Sequence, residues 1–236
     1  MDELIGRLAA APLLFQPGER WHYSNSTGVL GVVIERAAGM PLDQFFAQNI
    51  FAPLGMEDMT FLVDGAQAPR LVTNYVATED GINAVETSDH SEYRNPARMF
   101  DGGGALAGTM DDYLRFAQML ANGGELDGVR LLSRHSVDDM FTARFQTGGS
   151  AHENTMFGLG LGLGDAASEA IGSMPAGAGG WSGSANSYFF IDPRVRLVAV
   201  VMTNELTGPA YTDRTVRLRS LLNRAGAQLR DEAVRR

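Results

Sequence analysis

The sequence predicts an α+β fold in which a mainly helical part, about residues 20–150, precedes an antiparallel sheet backed by a C-terminal helix, about residues 155–228. Three observations carry that expectation. Apolar residues recur at helical spacing between Ser24 and Phe141, and each run is bounded by capping and stop signals. Alternating and continuous apolar runs of strand length crowd between Phe157 and Met202. A last helical-period segment opens at Thr212 or Asp213 and reaches about Gln228, with Val216, Leu218, Leu221 and Leu222 turned to the sheet. At 236 residues and 44% apolar, the chain can bury a real core, enough for one large domain or two small packed lobes, and residues 1–236 are expected to form one domain that lacks its N-terminal part.

The elements follow in order. From Ser24 to Ala38, Val29, Val32, Val33 and Ala37 share a helix face, with Asn25 or Ser26 as cap and Gly39-Met40-Pro41 as stop. Pro41 opens a second helix whose Phe45, Phe46 and Ile50 are buried and which Pro53-Leu54-Gly55 ends. Residues from about Asp64 to Arg98 mix Gly, Pro, Asn and charge, which predicts irregular structure with one or two short strands around Leu71–Val76. Thr109 caps a helix through Asn122, because Tyr113, Phe116, Ala117 and Leu120 share a face and Gly123-Gly124 closes it. Ser133 caps a further short helix. Phe157–Leu163 alternates large apolar residues with glycine and is expected to be one strand. Ser187–Ile191 and Val195–Met202 form a hairpin around the turn residues Asp192-Pro193-Arg194.

Composition excludes several classes of function. The formal net charge of −9 repels a nucleic-acid backbone and an anionic membrane, so the expected partner is a small molecule. The chain has no cysteine, hence no disulfide, thiolate ligand or cysteine nucleophile. His22, His90, His135 and His152 are scattered without metal-ligand spacing, and no metal or cofactor is expected. Gly102-Gly103-Gly104 lacks the Lys-Ser/Thr that follows a phosphate loop. The N-terminus is acidic where a secretory signal is basic, so a cytoplasmic location is expected unless Met1 is an internal methionine of a longer gene. Leu197–Met202 and the other apolar stretches are far too short to span a membrane.

Four elements in sequence order carry a resemblance. They are Pro17-Gly18-Glu19-Arg20-Trp21-His22-Tyr23-Ser24-Asn25 with its Tyr-x-Asn, Ile50-Phe51-Ala52-Pro53-Leu54-Gly55-Met56 after the paired helices, Gly102-Gly103-Gly104 through Thr109 entering Asp111-Asp112-Tyr113-Leu114-Arg115-Phe116, and Gly180-Trp181-Ser182-Gly183. Together they resemble the serine β-lactamase and penicillin-binding-protein superfamily, in particular class C β-lactamases and family VIII esterases, over about Leu13 to Leu222. The resemblance implies a two-lobe β-lactamase-like fold and hydrolysis of an ester or lactam through an acyl-enzyme, in which a serine attacks the carbonyl and a lysine one helical turn later activates it. It assigns Tyr23 to proton relay and Asn25 to holding the substrate's carbonyl side. Trp181-Ser182-Gly183 stands in the place of the Lys-Thr-Gly strand motif at the cleft edge, and the backbone N–H of Ser184 becomes one of two oxyanion donors.

The sequence departs from that pattern in one respect. All 19 basic side chains are arginine, so a Ser-x-x-Lys cannot occur in it. Ser182 does not replace the missing nucleophile through Gly-x-Ser-x-Gly, because Ser184 stands where the last glycine belongs. Two readings stay open here. One is a truncated serine hydrolase, itself inactive, whose fold lacks its first strands and nucleophile helix. The other is a catalytically dead homologue that binds a ligand or partner through the residual cleft. On the first reading apolar core is exposed and the chain self-associates. Trp181 in place of lysine removes the cation that pairs with a β-lactam carboxylate, which favours neutral acyl esters.

Overall fold

Helix signals in this sequence become helices where both ends are set chemically. The computed structural model describes residues 2–23, 25–147, 156–206 and 213–235; Ser24, His152 and Thr212, named above, lie outside them. After α1 (Asp2–Ala10), α2 spans Ser26–Ala38 and stops at Gly39, whose φ of 67° is the left-handed C-cap that glycine adopts without strain. Asn25 occupies the N-cap position but makes no side-chain cap bond, contrary to the capping role expected of it. The second helix begins as α3 (Leu42–Phe46), passes through a π turn at Ala47–Phe51 and ends as α4 (Ala52–Leu54) at left-handed Gly55. The segment expected to be irregular with one or two short strands holds a hairpin, β1 (Asn74–Thr78) and β2 (Gly81–Glu86), joined by a Glu79-Asp80 turn.

Helix α5 (Met110–Ala121) starts at Thr109, whose hydroxyl accepts from the Asp112 N–H, as the sequence predicts. A small ribbon, β3 (Glu125–Leu126) with β4 (Val129–Arg130), leads to α6 (Arg134–Met140), capped by Ser133 Oγ accepting from Ser136 N at 3.0 Å. The remaining elements are β5 (Phe145–Gln146), β6 (Met156–Phe157), β7 (Gly162–Leu163), α7 (Ala166–Ala170), β8 (Gly179–Ser182), β9 (Tyr188–Asp192), β10 (Leu197–Val201), β11 (Glu205–Leu206) and α8 (Asp213–Val234).

The expected single strand over Phe157–Leu163 is instead the tight hairpin β6–β7. Gly160 turns it at φ 78°, and Gly158 donates to the Leu161 carbonyl at 2.8 Å. A Cβ on Gly158 would overlap the Met140 carbonyl oxygen, so glycine here answers to a turn and a close approach rather than to strand alternation. α8 also runs past the expected Gln228 end to Val234.

Strands β10-β9-β8-β7-β6-β5 form an antiparallel sheet in that order. On one face, α5 brings Ala117 and Leu120 into a cluster with Ile191, Phe51, Leu54 and Val137. On the other, Tyr188 and Phe190 of β9 pack with Met174, Ala178 and Leu222 of α8. Strand β11 returns to lie parallel to β1, pairing Tyr75 with Glu205 and Val76 with Leu206, and Asn204 Nδ2 donates to the Thr73 carbonyl at 2.8 Å. That link ties the end of the sheet to the first half of the chain.

α8 approaches the sheet through Gly226, which is buried over the Phe190 ring; a Cβ there would sit inside the ring's van der Waals envelope. Gly226→Ala gains about 1 kcal/mol of helix propensity but overpacks the core by about 1–3 kcal/mol. The net expectation is a loss of stability, read in a urea titration as a lower midpoint with unchanged slope.

Candidate active site

The segment entering α2 alternates its side chains between two surroundings, as an extended chain does. Arg20 lies over the Phe15 ring at 4.4 Å, and His22 meets the same ring edge-on at 5.8 Å. Trp21 and Tyr23 turn the other way, onto the sheet. Tyr23 stacks on Trp181 of β8 with centroids 6.1 Å apart and 17° between planes. Trp21 contacts Trp181 at 6.4 Å and Phe157 of β6 at 5.4 Å, and Phe157 closes the cluster edge-on to Trp181 at 5.3 Å. The alternation therefore keeps Arg20 and His22 on the Phe15 side and sets the rings of Trp21 and Tyr23 against Trp181.

Tyr23 is 60% exposed despite these contacts. Asn25 follows at the head of α2, also exposed, its amide not committed to capping the helix. The sequence reading set this pair against the strand after Trp181-Ser182-Gly183 at a cleft edge. That strand, β9, is internal, lying between β8 and β10, and the residue Tyr23 meets is Trp181 itself. A local edge arises differently: β7 begins opposite Gly180, so Trp181 and Ser182 pair with β9 alone, through Phe189 and Tyr188.

Beyond Ser182 the chain makes a clamped turn. Gly183 N donates to the Ser187 carbonyl and Asn186 N to the Gly183 carbonyl, both at 3.0 Å. Asn186 is buried at a left-handed φ of 62°, and its Nδ2 donates to the Glu205 carbonyl at 2.7 Å. Thr203 Oγ1 donates to the Ala185 carbonyl, and Ser187 Oγ accepts from Thr203 N at 3.2 Å. Ser184 thus sits exposed at the tip of a turn whose flanks are held from β11 and the residues before it. Beside Trp181 and Ser182 opens a groove of ≈ 220 Å³, lined by Tyr113 of α5, Ser187, Phe189, Val200 and Met202. Tyr113 rests edge-on against Phe189 at 5.2 Å, and burial holds its phenol well above the ordinary tyrosine range.

The sequence motifs contain Tyr23, Asn25, Trp181, Ser182, Gly183 and Ser184, but neither Trp21 nor Phe157 was given a part, and Asn186 and Thr203 went unread. Trp21 carried one usable signal, its i, i+2 spacing from Tyr23. No group of three or more acidic or histidine side chains among the described residues is arranged to hold a metal ion.

The beta-lactamase family model matches residues 1–223. The chain belongs to the beta-lactamase family. Protein Rv1367c of Mycobacterium tuberculosis is 32% identical over 212 residues, covering 85% of this chain and 53% of that protein. Esterase EstB of Burkholderia gladioli is 32% identical over 224 residues, covering 86% and 54%. Among solved structures, EstCE1, described as a hydrolase with promiscuous acyltransferase activity, superposes with a TM-score of 0.74 at 25% identity, over 90% of this chain and 58% of that one. The chain spans about half the length of the curated relatives it matches. The family is of the serine-hydrolase type, and the helix-and-antiparallel-sheet architecture described above is its fold.

Two spectroscopic outcomes follow from the site. Trp21 and Trp181 are the chain's two tryptophans, and at 6.4 Å and 62° their transitions couple. Far-ultraviolet circular dichroism should show a bisignate exciton band that Trp21→Phe or Trp181→Phe alone removes; a band insensitive to both would contradict the cluster. Tyr113 and Tyr188 are held above the ordinary range by burial. Each stays protonated in the folded chain while its unfolded counterpart ionises near pH ~10. Stability is therefore full below that pH and falls as pH rises above it. Alkaline absorbance titration should leave Tyr113 and Tyr188 un-ionised until the chain unfolds.

Proposed function

We propose that this chain supplies the tyrosine and oxyanion side of an acyl-transfer site that hydrolyses neutral esters. The single observation that carries this reading is the stack of exposed Tyr23 on Trp181, which joins the two motif elements across 158 positions of sequence. Tyr23 passes the proton between nucleophile and leaving group, Asn25 holds the carbonyl side of the substrate, and Ser184 N–H at the clamped turn donates to the developing oxyanion. Trp181 lines the cleft with an apolar ring where a lysine would attract a carboxylate. The neutral aromatic surroundings of Tyr23 support an uncharged acyl group over a β-lactam carboxylate.

The attacking serine and its lysine come, on this reading, from a Ser-x-x-Lys segment outside these 236 residues, and the groove beside Trp181 and Ser182 is where such a segment reaches the site. By themselves the residues turn over nothing. Loss of the nucleophile in serine hydrolases removes about a million-fold in turnover. A second reading, ligand binding through the same cleft without chemistry, is favoured by the absence of lysine throughout the chain.

Purified chain is expected to hydrolyse neither p-nitrophenyl butyrate nor nitrocefin above a Tyr23→Phe control. Adding a segment that carries Ser-x-x-Lys is expected to restore butyrate hydrolysis, and Tyr23→Phe to reduce the restored rate by roughly 10²–10⁴-fold. Turnover by the chain alone that Tyr23→Phe abolishes would reveal another nucleophile. Absence of restored turnover, with butyrate ester still quenching the tryptophans, would favour the binding reading.

A further inference from the structure

The main-chain ladder between β9 and β10 ends where Tyr188 faces Val201. Past that pair, side chains make the link. Thr203 Oγ1 donates to the Ala185 carbonyl, and Asn186 Nδ2 donates to the Glu205 carbonyl at 2.7 Å. Ser187 Oγ accepts from Thr203 N at 3.2 Å and donates to the Thr203 carbonyl at 3.3 Å. The same segment is bound to the first half of the chain as well: Tyr75 N donates to the Asn204 carbonyl and Asn204 Nδ2 to the Thr73 carbonyl, both at 2.8 Å. Residues 203–205 are thus a splint, held against β1 and holding Ala185, Asn186 and Ser187 in turn.

Asn186 acts on the turn twice. Its backbone N–H donates to the Gly183 carbonyl at 3.0 Å. A trans peptide unit is planar, with its C=O and N–H opposed, so drawing the Gly183 carbonyl into the turn sends the Ser184 N–H out of it. Gly183 adds no steric restraint, since a Cβ there would meet no atom within 4 Å among the described residues. A peptide plane beside such a glycine reorients at little steric cost once its hydrogen bond is lost. What keeps the Asn186 N–H in place is the side chain, tied to Glu205 in a residue only 4% exposed. Its backbone φ of 62° is a conformation that glycine adopts without strain and asparagine merely tolerates. Glycine would close the same turn without the anchor, so the anchor is what a side chain adds here.

We propose that Asn186 is a positioning residue that aims the Ser184 N–H, with Thr203 steadying the adjacent Ala185 carbonyl. The role rests on the proposed acyl-transfer chemistry of Tyr23 and Ser184, and it names the residues that hold the donor. An oxyanion donor is effective when its direction is fixed before charge develops. Both anchors are neutral and act through main-chain atoms, so they fix the plane without setting a charge beside it.

Asn186→Gly keeps the left-handed turn and removes the anchor, and Thr203→Val removes the hydroxyl at nearly constant shape. Gly226→Ala, over the Phe190 ring, is the control for stability lost away from the turn. Amide hydrogen exchange on the 236-residue chain is expected to quicken roughly tenfold at Asn186 N–H in the two turn variants, relative to β9. In the control, turn and strand should change together. With a segment that carries Ser-x-x-Lys added, the turn variants should lose roughly 10–100-fold in kcat for butyrate ester at unchanged KM, short of the roughly 10²–10³-fold of removing an oxyanion donor outright. Unchanged turn exchange in Asn186→Gly, a rise in KM in place of the loss in kcat, or an equal loss in Gly226→Ala would overturn the positioning role and leave the acyl-transfer chemistry standing. Faster turn exchange with no turnover in any complemented chain, the unsubstituted one included, would overturn that chemistry and the positioning role with it.

Discussion

Strand β9 is buried on both faces, and the rest of the architecture is arranged by that constraint. Its five residues alternate between two helices: Phe189 and Ile191 toward α5, Tyr188 and Phe190 toward α8. Phe190, Ile191 and Asp192 are essentially inaccessible to water. A carboxylate in that position is expensive unless its oxygens are satisfied. Asp192 accepts from the Arg194 backbone N–H at 3.1 Å, from its Nε at 2.9 Å and from Nη2 at 2.6 Å, which fixes the turn into β10. Because the strand is clamped from both sides and at its end, β8 takes its register from it, with Trp181 opposite Phe189. The place where Tyr23 can stack is thereby set by core packing remote from any exposed chemistry.

The site is accordingly a meeting of segments that are distant in sequence and rigid for separate reasons. Trp181 stands on a sheet strand, Phe157 on a two-residue strand at the head of a glycine hairpin, and Trp21 and Tyr23 on an extended run that ends at α2. The turn carrying Ser184 is held by side-chain hydrogen bonds from Asn186, Thr203 and Ser187, all engaged with main-chain atoms. Such bonds orient backbone amides without placing charge near them. That suits a surface from which Arg20 and His22 are turned away, toward Phe15.

Local chemistry was legible in the sequence, and long-range geometry was not. Thr109, Ser133, Gly39 and Gly55 act within four residues of themselves, so their helix ends could be read directly. The same holds for the turn after Asp192. Phe157–Leu163 misled because glycine alternation has the same period as a half-buried strand, whereas left-handed Gly160 reverses the chain there. The partnership of β1 with β11 joins residues 130 apart and leaves no local mark. For the site, Tyr23, Asn25 and the Trp181-Ser182-Gly183 run stood out as motifs. Phe157 and Asn186 did not, since the one matters through rings far along the chain and the other through a left-handed backbone that asparagine tolerates but does not announce.

The turn before Trp21 decides where this region can change length. Glu19 N donates to the Gln16 carbonyl at 3.1 Å and Gly18 is left-handed at φ 84°, and beyond this turn Arg20 and His22 meet the Phe15 ring. Residues added or lost before Phe15 leave the turn, and with it the choice of side chains that face Trp181, untouched. A change between Gln16 and Glu19 breaks the turn and releases Arg20 and His22 from Phe15, so tolerance to length ends abruptly at one glycine.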